Sequence, residues 1–232
     1  MTKAKHIVVL SGAGISAESG LSTFRGSGGM WEEYKIEEVA SIDGWHLNPA
    51  LVLEFYNKRR ERAAAAQPND GHKALAQLEA KYQVTIITQN VDDLHERAGS
   101  TNVLHLHGKL REARSSRYPD YVIDIGNKPI KMGDLCPNGA QLRPNIVWFG
   151  EMVPNMASAT QIVPTADVFI VVGTSLLVYP AANLIYYAPK SIPKYLIDPN
   201  LPQTNPIPNL TTIPQTATQA LPVLVAKLLA NT

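Results

Sequence analysis

His6-Ile7-Val8-Val9-Leu10 runs straight into Ser11-Gly12-Ala13-Gly14-Ile15-Ser16, a short apolar run followed by a loop with glycine at alternate positions. Such a run reads as a strand buried on both faces. A Gly-x-Gly directly behind it is where open α/β sheets offer backbone donors to phosphate groups. The same pattern also serves as an ordinary tight turn. A dehydrogenase fingerprint needs a third glycine three residues after the second, where Ala17 stands, and an acidic end to the second strand, where Thr88-Gln89-Asn90 stands. An ordinary nicotinamide dehydrogenase is therefore disfavoured.

Outward from that stretch, further apolar runs occupy residues 84–88, 103–106, 146–149, 168–172 and 194–197. Helical patterns alternate with them: 71–82 behind an Asn69/Asp70 cap, 92–98 closed by Gly99, and 180–188 with proline in its first turn. This alternation predicts an α/β fold with a parallel sheet. Residues 201–214 carry Pro202, Pro206, Pro208 and Pro214 and read as an irregular surface loop before a last helix ending near Leu229. Two segments, roughly 26–66 and 108–143, leave the pattern and later return to it, which suggests a small second module. Behind Asn48-Pro49 a helix carries Leu51/Phe55 and Val52/Tyr56 on adjacent apolar stripes.

The 232 residues suffice for one large domain with a smaller insert. A net charge of +1 gives no basic excess of the kind that binds nucleic acid, so no nucleic-acid partner is expected. The first apolar run is too short for a signal peptide or membrane span, and a cytoplasmic, monomeric protein with no membrane partner is expected. The single cysteine, Cys136, excludes an internal disulfide and a site of four thiolates.

The longer string Gly12-Ala13-Gly14-Ile15-Ser16-Ala17-Glu18-Ser19-Gly20-Leu21-Ser22-Thr23-Phe24-Arg25-Gly26 resembles the cofactor-binding loop of the sirtuins. Four further blocks match in order. They are Thr88-Gln89-Asn90-Val91-Asp92-Asp93-Leu94-His95, His105-Leu106-His107-Gly108, Leu142-Arg143-Pro144-Asn145-Ile146-Val147-Trp148-Phe149-Gly150-Glu151, and Gly173-Thr174-Ser175 with Val178-Tyr179-Pro180-Ala181-Ala182. The resemblance covers nearly the whole chain. It implies a Rossmann-like parallel-sheet domain (1–25, 67–107 and 144–232) and a small module from two insertions (26–66 and 108–143). NAD and acyl-lysine would meet between them in an NAD-dependent protein deacylase.

By that resemblance His107 is the general base for a ribose hydroxyl, a task that suits imidazole because its pKa lies near working pH. An isolated histidine would sooner be a capping or core residue. Gln89, Asn90 and Asp92 are implied at the nicotinamide ribose and carboxamide, with Val91 beside them, and Asp92 is expected also to cap the helix behind it. Gly12, Ala13, Gly14, Ser16, Glu18, Thr23, Phe24, Arg25 and Trp31 are implied around the cofactor, Phe24 and Arg25 as a loop over the reacting sugar. Gly173, Thr174 and Ser175 are implied at the adenine-side ribose and phosphate. Asp198, Asn200 and Ala217 are implied at adenine. Val147, Phe149, Gly150 and Glu151 resemble the edge that takes a substrate peptide as an added strand.

Tyr56 and Arg59 lie three apart on one helical face, and their spacing resembles the pair found in sirtuins that prefer succinyl- and malonyl-lysine. A guanidinium matches a carboxylate through two parallel bonds. Against this, Arg59 sits in Lys58-Arg59-Arg60-Glu61-Arg62, which spacing alone reads as a solvated face. Ala40, where those enzymes need a small residue, and Thr23, in place of an aspartate common in deacetylases, favour the acidic-acyl reading. Most sirtuins bind a structural zinc through two Cys-x-x-Cys pairs. Here Arg114-Ser115-Ser116-Arg117-Tyr118 stands at the first pair and only Cys136 remains near the second, so no zinc is expected. Packing by Tyr118, Tyr121, Ile123, Ile125, Ile130 and Leu135 would hold the module instead. An ADP-ribosyltransferase and a non-catalytic NAD or ADP-ribose binding module stay open as alternatives.

Overall fold

The structure is a computed structural model describing residues 4–23 and 34–230. Its strands are β1 (His6–Ser11), β2 (Gln83–Thr88), β3 (Val103–His105), β4 (Gly108–Ser115), β5 (Val122–Asp124), β6 (Leu142–Ile146), β7 (Val168–Val172), β8 (Lys194–Ile197) and β9 (Leu210–Ile213). Its α-helices are α1 (Gly14–Ala17), α2 (Ile36–Val39), α3 (Ile42–Leu47), α4 (Pro49–Ala65), α5 (Asp70–Gln77), α6 (Leu94–Arg97), α7 (Met156–Ile162) and α8 (Ala217–Ala230). Six strands form a parallel sheet in the order β3-β2-β1-β7-β8-β9.

Successive residues of a strand face opposite sides of its sheet. Accordingly Ile7 and Val9 pack with Leu75 and Leu78 and with Leu221 and Val225 of α8, while Val8 and Leu10 pack with Val163, Leu184 and Ile185 on the other face. A strand covered on both faces must be apolar throughout, which is why β1 and β7 were legible as continuous runs. Strand order reverses between β1 and β7, so the loops behind them diverge and open a crevice at their carboxyl ends. Asn69 caps α5 by accepting the N–H groups of Gly71 and His72, and the His72 ring accepts the Asn69 N–H in return.

The interrupting segments supply a second layer. Strands β5, β4 and β6 form an antiparallel sheet in that order, and α2 to α4 pack on it through Val39, Trp45, Val52, Phe55, Leu110, Ile146 and Trp148. Ile130 is buried there and Tyr121, Ile123 and Ile125 are partly so. Tyr118 and Leu135, expected in this core, are instead 39% and 55% exposed. Among the described residues no helix is long and apolar enough to cross a membrane.

Other expectations are corrected as well. The run at 146–149 is not a strand of the large sheet. Its first residue ends β6; then the Val147 N–H binds the His107 carbonyl and the Phe149 N–H the Ala40 carbonyl, so the run crosses between the two layers. Residues 201–214 are not wholly irregular, because Leu210–Ile213 adds β9 at the sheet edge, with Pro208 and Pro214 outside the ladder where their missing donors cost nothing. The helix expected at 180–188 is a 3₁₀ segment, Ala181–Tyr187, cut off because Pro189 pushes Ala188 into extended backbone. The helix expected at 92–98 shrinks to α6, ended by Gly99 at φ 106°, and the one at 71–82 passes from α5 into a 3₁₀ turn at Leu78–Ala80.

Candidate active site

The loops after β1 and β7 touch. The Gly14 N–H donates to the Gly173 carbonyl at 2.8 Å, and Gly173 takes φ 63°. A Cβ on Gly12 would come within 2.7 Å of the Gly173 oxygen, and one on Gly173 within 2.3 Å of the Ile15 nitrogen. Only glycine permits this approach, which leaves bare backbone at the carboxyl ends of two adjacent strands. From there a cleft of about 500 Å³ runs between the two layers, within the usual range for small-molecule sites.

One end of the cleft is lined by Gly12, Ala13, Gly14, Glu18, Thr23, Gly173, Thr174, Ser175, Asp198, Asn200 and Ala217. Glu18 does not stand alone there: its carboxylate accepts the Thr218 N–H and hydroxyl at the start of α8. Burial pushes the Asp198 carboxyl above its ordinary range, against the opposing effect of the Asn200 N–H bond. Gln89, Asn90, Val91 and His107 line the middle. Ser16 and Asp92 face a smaller recess of about 50 Å³ beside it, shared with Arg59 and Asn90. Phe24, Arg25 and Trp31 lie outside the described residues.

The polar groups in the middle are bound to one another. The Asn90 side-chain amide donates to the Ser16 hydroxyl at 3.1 Å, and that hydroxyl donates to Asp92 at 3.2 Å. The other Asp92 oxygen accepts the Leu94 N–H, but the N-cap position of α6 falls to Asp93, whose side chain makes no cap bond, so Asp92 faces the recess without being the helix cap expected of it. Burial raises the Asp92 carboxyl, opposed by those two bonds and by the nearby His105 charge. His72, pushed down to about 4 by burial, is neutral and lies 3.4 Å from the Ser16 hydroxyl. Because its Nδ1 accepts from Asn69, its Nε2 carries the proton and donates to Ser16. Neither His72 nor its link to Ser16 was anticipated, although a histidine three residues after the Asn69 cap was a signal that it closes a capping box.

His107 Nδ1 lies 3.1 Å from the Gln89 carbonyl. A carbonyl can only accept, so Nδ1 holds the proton and Nε2 is left as the acceptor. Burial holds the ring below its usual pKa, only partly opposed by this bond, which keeps it unprotonated at neutral pH.

At the far end stand Ala40, Tyr56, Arg59, Val147, Phe149, Gly150 and Glu151. α4 divides its charge run by direction. Arg60 turns inward, 2% exposed, with its guanidinium on the Leu110 carbonyl and Asn57. Arg59 turns to the cleft, its guanidinium carbon 5.6 Å from the Phe55 ring centre and 5.5 Å from that of Tyr56. Trp148, which sequence reasoning missed as a site residue, donates its indole N–H to the Tyr56 hydroxyl at 3.1 Å. Glu151 is fully engaged inside the protein. It accepts two bonds from Arg143, one from Arg114 and the Trp148 N–H, and although burial alone would raise its pKa these partners hold it below the usual range.

At the sirtuin zinc positions the residues do not fit a metal. Cys136 donates to the Ser115 hydroxyl at 3.4 Å, and that hydroxyl accepts the N–H groups of Arg117 and Tyr118. Among the described residues no group of three or more His, Cys, Asp or Glu could hold a metal ion. The purified protein is expected to carry no stoichiometric zinc, and a chelator to leave its melting temperature and activity unchanged. Zinc near one equivalent by elemental analysis, lost together with activity, would overturn this.

Residues 12–180 match the model of the Sir2 family. A protein of Helicobacter pylori strain J99 named NAD-dependent protein deacylase is 52% identical over 225 residues, covering 97% of this chain and 96% of its own. A solved Sir2 homologue in complex with NAD superposes with a TM-score of 0.87 at 40% identity, covering 98% of this chain and 91% of that one. A second solved structure, a Sir2 protein with a p53 peptide and NAD, gives 0.80 at 28% identity, covering 98% and 95%. With a family match over most of its length and a relative at this identity, the chain belongs to the Sir2 family.

Proposed function

We propose that this chain is an NAD-dependent protein-lysine deacylase that passes the acyl group to ADP-ribose with release of nicotinamide, and that its pocket accepts succinyl and malonyl groups at least as well as acetyl. The observation that carries the reading is the meeting of the glycine-built crevice, His107 and the Tyr56/Arg59 pair in one cleft. The crevice suits a dinucleotide because side chains are excluded where backbone must approach phosphate. Bound NAD supplies an electrophilic ribose carbon and nicotinamide as the leaving group.

The chain's own residues then have separable tasks. Asn90 and Asp92, oriented through Ser16, hold the nicotinamide end, and the Gly173 to Ser175 loop holds the adenosine side. His107 accepts a ribose hydroxyl proton at Nε2, its ring fixed by Gln89. Tyr56 accepts the Trp148 N–H, and burial raises its pKa, so it keeps its own proton to donate. The N–H groups of Val147, Trp148, Phe149 and Glu151 already bind His107, Glu151, Ala40 and Trp148, so a peptide added as a strand meets the N–H of Gly150. The p53 peptide bound by the related Sir2 protein supports such a substrate class.

A panel of acetyl, malonyl and succinyl peptides with NAD tests the reading. Acidic acyl groups should be removed with kcat/KM at least equal to that for acetyl. A clear preference for acetyl would remove the acidic-acyl part.

A further inference from the structure

His105 is 4% exposed, and both of its ring nitrogens face oxygen atoms. Nδ1 lies 2.9 Å from the Asn90 carbonyl and Nε2 lies 2.8 Å from Glu96 Oε1. The carbonyl can only accept, so Nδ1 is protonated. The bond to Glu96 needs a second proton, carried by the ring or by the carboxyl. Either way the two residues together hold one proton more than a carboxylate and a neutral imidazole would.

We propose that Glu96 and His105 are a proton-sharing pair that positions Asn90 for the reaction. The proposal rests on the deacylase reading above for its functional part. His105 ends β3 and Asn90 follows β2, two strands that are paired in the sheet. Two residues on, His107 takes the carbonyl of Gln89. Alternate histidines thus clasp consecutive carbonyls of the loop that carries Gln89, Asn90 and Asp92. Asn90 is held from its remaining sides by Thr88, which accepts its N–H, and by Ser16. The rear of the clasp is fixed in turn, since Asn155 donates to the His105 carbonyl at 2.7 Å.

Lys109 Nζ lies 3.8 Å from Glu96 Oε1, a cation that favours the carboxylate form of Glu96. His95 packs against His72 and is kept neutral, its pKa held well below normal chiefly by burial. Burial would raise the Glu96 carboxyl, but the His105 bond, the His105 charge and Lys109 together bring it below its usual value. The second Glu96 oxygen is buried with no hydrogen-bond partner, so the carboxylate depends on His105 for compensation. When alkali removes the shared proton, the Nε2 lone pair faces a carboxylate and attraction becomes repulsion. The clasp on Asn90 then loosens, and displacement of about 1 Å at a reacting site is enough to cost ~100-fold in rate.

The test uses the full chain with ¹⁵N-labelled histidine. At about pH 8, where a free imidazole is neutral, both His105 nitrogens should be protonated and His107 should show one. Glu96→Gln should return His105 to a single proton, because the new amide can donate to Nε2. In kinetics, Glu96→Gln should lower kcat less than about tenfold at neutral pH and remove the alkaline fall of kcat/KM. His105→Ala should lower kcat by about 10–100-fold, the usual worth of a group that orients a working residue. A His105 ring with one proton beside an ionised Glu96 carboxylate in the wild-type protein overturns the pair, whether or not the chain is a deacylase. An alkaline limb that persists unchanged in Glu96→Gln overturns its positioning role. Absence of deacylase activity with a doubly protonated His105 overturns the functional reading and its positioning clause while leaving the shared proton established.

Discussion

Replacing His107 with alanine is expected to lower turnover of acyl-lysine peptide by about a hundredfold to ten-thousandfold, the usual worth of a general base, while the protein stays folded. The size follows from geometry: His107 lines the cleft, its Nδ1 is committed to the Gln89 carbonyl, and Nε2 is its remaining acceptor. Its lowered pKa means that the base form persists somewhat further into acid than for an ordinary histidine. The acid limb of kcat/KM should therefore lie below the usual imidazole range and should disappear in the variant. Folding should survive, since the bond lost holds a loop that also keeps Thr88 and Ser16 as anchors. Initial rates at saturating NAD, with a melting curve alongside, measure both. Wild-type rates in His107→Ala would remove the residue from the mechanism.

Arg59→Met should lower kcat/KM for a succinyl peptide by roughly 2 to 5 kcal/mol of transition-state binding, the range for unpairing a buried charge, and leave acetyl peptide nearly unchanged. An acidic tail entering the pocket beside Ala40 and Tyr56 loses its hydration, which costs several kcal/mol unless it is paired. The Arg59 guanidinium offsets that cost with two parallel bonds, and the Tyr56 hydroxyl adds a third. Cation–π attraction to the Phe55 and Tyr56 rings biases the guanidinium toward the pocket before substrate arrives, so less side-chain freedom is lost on binding. Acetyl-lysine has no carboxylate and gains nothing from either group. Equal falls for both substrates would make Arg59 structural; no fall for either would end the acidic-acyl assignment.

The parts of this molecule that could be read in advance are those where local physics decides. β1 and β7 had to be apolar runs because both faces of the sheet are covered, and the glycines between them had to be glycine because the loops touch. What stayed hidden depends on contacts made at long range. The run at 146–149 has the composition of a core strand, but its N–H groups find partners at His107 and Ala40 across the cleft. β9 was masked by prolines that the edge of a sheet tolerates. In the run 58–62 spacing marks five charged residues alike, while packing sends Arg60 into the core, turns Arg59 to the cleft and leaves Arg62 and Glu61 in solvent. His95 and His105 stood in the matched blocks and His72 in none, with no role read for any of the three, and only the fold shows them gathered behind Asn90 and Asp92.

The most direct test of the central claim is a stoichiometry. With NAD and a succinyl-lysine peptide, the account expects one nicotinamide released for each peptide deacylated and the acyl group recovered on ADP-ribose. Nicotinamide released while radiolabel from NAD stays on protein, or NAD bound with no nicotinamide released at all, would contradict it.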